Sequence, residues 1–158
     1  MCPYKKVVFA GTFDHLHDGH KHLLRRAFQL GSWVGIGLTT NEMLSDKTEA
    51  DKIQSFEERK RALMSFIKSE GQSSRCTVFA IKTREGGAES MEDLEALIVS
   101  DEIGVVANAF QINEMRARNG LRRFDIIVVP RVRTEDGVPL SSSRIRRGET
   151  LDHRRLTY

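Results

Sequence analysis

Five short runs of apolar and β-branched residues, Tyr4–Ala10, Trp33–Thr39, Cys76–Ile81, Ala96–Ser100 and Phe124–Val129, recur along the chain between segments with helical spacing. Each has the length of a strand, and none alternates apolar with polar residues, the pattern of a strand buried on both faces. Strands of that kind, separated by helices, pair in parallel through right-handed crossovers. The expected fold is therefore α/β, a doubly wound five-stranded parallel sheet. At 158 residues the chain fits one domain over 1–158, able to bury roughly two thirds of its unfolded surface without disulfide staples.

Local signals place the helices. Asp18 is the expected N-cap of a first helix carrying Leu23, Leu24, Ala27 and Phe28, with Gly31 as its stop. Ser55-Phe56-Glu57-Glu58 reads as a capping box opening a second. A third is expected from Ile103 or Gly104 to Asn119, ending at Gly120, with Val106, Phe110 and Ala117 facing inward. Gly71–Ser74, Arg84–Gly87 and Thr134–Pro139 read as loops. No repeat, low-complexity tract or linker divides the chain.

Composition excludes several classes. Hydrophobic residues at 39% and charged residues at 30% are those of a folded globular chain. Two cysteines, Cys2 and Cys76, imply no disulfide framework and suit a reducing compartment. No apolar run approaches the roughly 20 residues of a membrane helix, and residues 1–10 lack a signal peptide's apolar stretch, so a cytoplasmic location away from membranes is expected. The net charge of +3 favours anions only mildly, although Arg144-Ile145-Arg146-Arg147 and Arg154-Arg155 concentrate positive charge that suits phosphates or, less specifically, nucleic acid. The oligomeric state stays open, with a monomer the working expectation.

In an open α/β sheet, ligands bind beyond the carboxyl ends of the strands. Four polar segments follow predicted strands: Gly11–His20, Thr39–Lys47, Ser100–Glu102 and Arg131–Arg144. In the first, Gly11 lets the backbone approach a ligand, Thr12 brings a hydroxyl, and a helix starts at Asp18-Gly19-His20. Helix N-termini present unpaired N–H groups and partial positive charge to phosphate. His17 and His20 flank Gly19, so both imidazoles can face an anion there. That arrangement suits nucleotidyl transfer, where the protein chiefly positions its substrates and neutralises charge on the α-phosphate and the leaving pyrophosphate.

Other readings of these residues compete. The tract holding His15, His17, His20 and His22 could bind zinc, but no Cys, Asp or Glu spacing completes a site. His15 and His22 read as surface or packing residues. Gly35-Ile36-Gly37 lies inside a strand and lacks the third glycine of a dinucleotide fingerprint, so it marks close backbone packing. No Walker A pattern occurs.

Gly11-Thr12-Phe13-Asp14-His15-Leu16-His17-Asp18-Gly19-His20 resembles the G-T-F-D-x-x-H-x-G-H signature of the nucleotidyltransferase superfamily that includes class I aminoacyl-tRNA synthetases. Leu140-Ser141-Ser142-Ser143-Arg144-Ile145-Arg146 resembles its second motif, I-S-S-S/T-x-x-R, with Leu in place of Ile. Within that superfamily, Gly37–Met43, Lys47, Ile98–Glu102, Asn113 and Arg116 are similar to the archaeal and eukaryotic phosphopantetheine adenylyltransferases, across nearly the whole chain. Ile103 stands where a Thr often follows the Ser-x-Glu run.

The resemblance implies a Rossmann-like fold and transfer of AMP from ATP to 4′-phosphopantetheine, in coenzyme A biosynthesis, with Mg²⁺ in attendance and no covalent enzyme intermediate. Carried over residue by residue, His20, Thr12 and Lys47 are the catalytic set. Thr12 and His20 steady the α-phosphate, His17 holds the triphosphate, and Lys47, with Thr12, holds the acceptor phosphate. Gly11 and Phe13 contact the nucleotide, Ser100 and Glu102 line the adenosine side, and Ser142, Ser143 and Arg144 grip the β- and γ-phosphates, a role Arg146 or Arg147 could share. Glu102 also reads as a solvated helix-start carboxylate, and Lys47, among Asp46, Glu49 and Asp51, as an exposed lysine. Arg133-Thr134-Glu135-Asp136-Gly137 resembles the R-T-E-G run of cytidylyltransferases acting on glycerol 3-phosphate, but Val138-Pro139-Leu140 intervenes before the serines. An adenylyltransferase of nicotinamide mononucleotide is a further rival. A nucleotide- or RNA-binding module is another, although no aromatic stacking platform accompanies the basic tail, so no nucleic-acid partner is expected.

Overall fold

A computed structural model of the chain describes residues 2–47, 50–150 and 152–158. Five parallel strands, β1 (Tyr4–Gly11), β2 (Gly31–Thr39), β3 (Cys76–Ile81), β4 (Ala96–Ser100) and β5 (Asp125–Val129), form one sheet in the order β3-β2-β1-β4-β5. Helices α1 (Asp18–Leu30), α2 (Phe56–Ser69) and α3 (Ile103–Arg118) make three of the four crossovers, and a short helix α4 (Ser142–Arg146) follows β5. The β3–β4 connection runs as turns without a helix, unlike the helical spacing expected between all the strands. The expected doubly wound sheet is present. Two residues on each side form a small antiparallel pair absent from the sequence reading, β6 (Arg133–Thr134) with β7 (Leu156–Thr157). β6 therefore takes Thr134 out of the expected loop.

Strand pleating divides the core in two. Val7 and Phe9 of β1, with Ala96 and Ile98 of β4, pack against Leu24, Ala27 and Phe28 of α1 and Leu63 and Ile67 of α2. Val8, Leu97 and Val99 point the other way, onto Ala109 and Ile112 of α3. Consecutive apolar residues are needed because each face has its own helical cover. Fully burying one such side chain contributes about 1.5–3 kcal/mol. The five runs are alike in sequence but not in position: β3 and β5 are edges, and Val128 is 45% exposed. At Gly37 a Cβ would sit 2.1 Å from Ile81 Cδ1, so the glycine leaves the space that the Ile81 side chain fills.

Three local expectations change. The N-cap of α1 is His17 rather than Asp18: its Nδ1 accepts from Gly19 N, while its own N–H donates to His20 Nδ1. Ser55 caps α2 by accepting from Glu58 N, but the Glu58 carboxylate meets the Ser55 hydroxyl rather than completing the reciprocal box. In α3 the inward stripe is Ala109, Ile112, Asn113 and Arg116, while Phe110 is 61% exposed. Arg116 takes a core position because its guanidinium donates to the carbonyls of Ala88, Met91, Leu94 and Arg122 and lies over Phe124. Apolar periodicity cannot register a buried arginine, which shifts the apparent face.

Candidate active site

Between β1 and β4 the chain reverses its direction of winding, and loops leaving the carboxyl ends of the strands part there to form a crevice. A cleft of about 790 Å³ occupies it, lined by Gly11, Thr12, Phe13, His17, His20, Lys47, Ser100, Glu102, Ser142 and Ser143 from four segments of chain, among other residues. Of the ATP and acceptor positions carried over from the resemblance, only Arg144 is missing from this wall.

The two imidazoles hold each other in place. Their rings stack at 3.8 Å with an interplanar angle of 19°, and the Nδ1 atoms accept backbone N–H groups at 3.0 Å for His17 and 3.2 Å for His20. A nitrogen that accepts carries no proton, so both neutral rings keep theirs on Nε2. His17 Nε2 is buried with no hydrogen-bond partner among the described residues. Burial above all pushes the His17 pKa down to about 4, with Lys21 adding to the effect and Asp18 and Asp14 opposing it. His20 is held well below the ordinary imidazole value by burial, then by His17 and Lys47. Both rings are thus neutral N–H donors at physiological pH. An unpaired buried donor costs about 1–3 kcal/mol, which an anionic ligand at His17 would recover.

Facing them, Thr12 Oγ1 accepts from Lys47 Nζ at 3.2 Å and from Thr39 Oγ1 at 3.3 Å. Its own hydroxyl proton is left to give. Lys47 is exposed as a residue, yet burial of its ammonium and the nearby Arg146 lower its pKa, against the pull of Glu102 and Asp14. The bond to Thr12 distinguishes it from a plain surface lysine; Glu49, one of its acidic neighbours in sequence, lies outside the described residues. Phe13 adopts φ 52° and buries its ring beneath Gly11 and beside His20 at 5.3 Å, a prop for the loop. Such left-handed residues cost about 1–3 kcal/mol and persist where the surroundings enforce them.

On the second motif, the Ser142 hydroxyl donates to Asp14 O at 2.7 Å, which spends its proton on joining the motifs. Arg144 turns away from the cleft to Glu149, Thr134 Oγ1 and the Val138 and Pro139 carbonyls. Arg146 lines the cleft instead and pairs with fully buried Asp14 at 2.8 Å. Arg147 is exposed and lies outside the lining. At the end of β4, Ser100 Oγ accepts from Glu102 N, and Glu102 meets Arg131, which also lines the cleft and is braced by Asp101.

The profile of the Cytidylyltransferase-like family matches residues 8–148. Over 145 residues, 92% of this chain and 86% of the other, the sequence is 43% identical to a phosphopantetheine adenylyltransferase of Thermococcus kodakarensis. The chain belongs to the phosphopantetheine adenylyltransferases. It is similarly 40% identical to the Pyrococcus abyssi phosphopantetheine adenylyltransferase, over 94% of this chain and 92% of that one. Among solved structures, a protein of unknown function from Archaeoglobus fulgidus superposes with a TM-score of 0.69 at 29% identity, over 78% of this chain and 88% of that one.

In this member of the phosphopantetheine adenylyltransferases, the remaining histidines of the tract do other work. His15 lies against Lys52 O and His22 against the Tyr158 ring, and among the described residues no three His, Cys, Asp or Glu side chains gather around a metal position. No described helix is long and apolar enough to cross a membrane. Sequence reasoning missed Asp14, Arg59 and Arg131. Asp14 stands inside the first motif, and Arg59 falls on the apolar stripe Phe56-Arg59-Leu63-Ile67 of α2, where a lone charge signals a buried, fully bonded guanidinium.

Proposed function

We propose that the cleft binds ATP and 4′-phosphopantetheine together and transfers AMP directly, forming dephospho-coenzyme A and pyrophosphate. The observation that carries this reading is the pair of neutral Nε2–H donors at the start of α1, facing the Thr12–Lys47 pair across the same cleft. An oxygen of the acceptor phosphate attacks the α-phosphorus, a new P–O bond forms, and the bond to the bridging oxygen breaks with its electron pair leaving on pyrophosphate. Lys47 holds the acceptor phosphate, and Thr12, with its remaining proton, and His20 donate to the α-phosphate as its charge rearranges. His17 Nε2 donates to the triphosphate. Ser142 and Ser143 bring the backbone of the second motif to the β- and γ-phosphates, and Arg146, which lines the cleft, takes the cationic role that the resemblance implied for Arg144. Ser100 and Glu102 border the adenosine side.

Mg²⁺ enters this reaction as part of the substrate, MgATP. Phosphate oxygens and water supply most of its ligands in such complexes, so a cage of protein carboxylates is not required. Glu102 is a cleft-lining carboxylate that suits a water of its shell. The ion neutralises triphosphate charge and eases departure of pyrophosphate.

The cytidylyltransferase alternative rested on Arg133–Gly137. That run forms the turn leading from β6, closed by Thr134 N to Val138 O, and does not line the cleft. The deciding experiment offers the purified chain MgATP with 4′-phosphopantetheine and, separately, MgCTP with glycerol 3-phosphate. Pyrophosphate and dephospho-coenzyme A are expected from the first pair only. Release with CTP alone would overturn the assignment, and binding of both nucleotides without turnover of either pair would point to a non-enzymatic module.

A further inference from the structure

We infer that Arg59, which does not line the cleft, is a positioning residue: one buried guanidinium sets the distance between Thr12 and the acceptor loop that carries Lys47. The inference rests on the reading of the cleft given above. Arg59 is fully buried on the inner face of α2, where the Asp14 carboxylate favours its charge without bonding to it. Its donors go to four oxygens from three segments. Nη1 donates to Thr12 O at 2.9 Å and Thr39 O at 2.8 Å, Nη2 to Asn41 Oδ1 at 2.8 Å, and Nε to Gln54 O at 3.0 Å.

Those acceptors are the ends of two strands and both ends of one loop. Thr12 directly follows β1 and Thr39 ends β2, so Nη1 fixes the gap between the carboxyl ends of the neighbouring strands. Asn41 and Gln54 stand at the start and finish of the loop from which Lys47 projects, and Asn41 Nδ2 donates to Gln54 O at 3.2 Å, closing its base around the guanidinium. Lys47 is tied to the same base, its N–H reaching Leu44 O at the end of the 3-10 turn Asn41–Leu44. The Lys47 Nζ to Thr12 Oγ1 contact of 3.2 Å is thus the outcome of two anchor sets that share Arg59. A planar fork with five donors in fixed directions can hold four oxygens at set angles; an ammonium on a flexible stem cannot. His17 and His20 hang from a separate set of bonds on α1, so the Thr12–Lys47 pair, and with it the seat of the acceptor phosphate, is what depends on Arg59, while the His17 contact to the triphosphate does not.

The test compares the wild type, Arg59→Lys and Asn41→Ala. Asn41 is exposed, so its truncation removes one of the four bonds, together with its own bond to Gln54 O, without opening the core. Initial rates with varied 4′-phosphopantetheine and varied ATP, MgATP affinity by calorimetry, and thermal melting are measured on each. Arg59→Lys is expected to raise KM for 4′-phosphopantetheine about tenfold or more, with Asn41→Ala moving it the same way by less. ATP affinity stays within about threefold in both, the sizes expected for lost bonds to a charged group. Proportional changes in both substrates, or acceptor KM values at the wild-type level in folded variants, overturn the inference and leave Arg59 a scaffold residue. A failure of the functional reading is separately visible, because the wild type itself would then not turn over this substrate pair. In that event the Arg59 inference is judged on backbone amide NMR shifts: Thr12 and Lys47 must move in both variants while His17 and His20 stay, and the opposite pattern refutes it.

Discussion

Gly19→Ala tests the imidazole pair with the smallest possible change. A Cβ at this position would lie 2.8 Å from His17 Cε1 and 3.0 Å from Nδ1, closer than side-chain carbons approach. The His17 ring cannot slide aside, because its face rests on His20 at 3.8 Å and its Nδ1 holds Gly19 N at 3.0 Å. It has to swing, which breaks the cap and carries Nε2 off its line into the cleft. Losing one hydrogen bond to a charged ligand costs about 1.5–3 kcal/mol, hence about 10- to 150-fold in kcat/KM for ATP. Stability should barely change, since alanine favours a helical position by up to about 1 kcal/mol and loss of an N-cap removes about the same. Pyrophosphate release at varied ATP, read beside a thermal melt, gives both quantities. A kcat/KM within threefold of wild type at unchanged melting temperature would refute the contact between His17 and the triphosphate.

His20→Ala should lower kcat about a hundredfold or more, since its donor meets charge that builds in the transition state. It should weaken ATP binding and lower the melting temperature by less, because His17 loses its stacked partner and the acceptor of its N–H; near-normal turnover would remove His20 from the reaction. Lys47→Ala should raise KM for 4′-phosphopantetheine more than KM for ATP, and unchanged kinetics would return Lys47 to the solvated surface. The lowered pKa of His17 makes folding pH-dependent: the unfolded ring titrates near 6.5 and the folded one at about 4, so the unfolded chain takes up the proton first as pH falls. The stability present above pH 6.5 is lost progressively toward pH 4, by about 3 kcal/mol. Urea titrations across that window should show a shallower slope in His17→Asn, which keeps a capping side chain; equal slopes would mean that His17 is not the group responsible.

The chain's own pattern was enough for the architecture. Uninterrupted apolar runs can be satisfied only with cover on both faces, and the run lengths placed β3 and β4 to the residue. The two motifs named the part of the cleft wall around the start of α1 and α4, because ligand-binding loops act largely through residues at the strand ends themselves; the wall from Phe79 to Ala88 and the start of α3 carried no such signal. Contacts between distant segments were beyond that pattern. Which arginine of the second motif faces the cleft depends on where buried Asp14 sits, 132 positions earlier in the chain, and that carboxylate draws Arg146 inward while Arg144 goes to the β6 turn. The cap of α1 fell to His17 rather than Asp18 because the stacked His20 ring completes the reciprocal bond. What Arg59 and Arg116 bond to is decided only when the backbone carbonyls around them are in place. Periodicity encodes where apolar side chains must go; where a buried charge goes depends on oxygens that only the folded chain brings within about 3 Å of it.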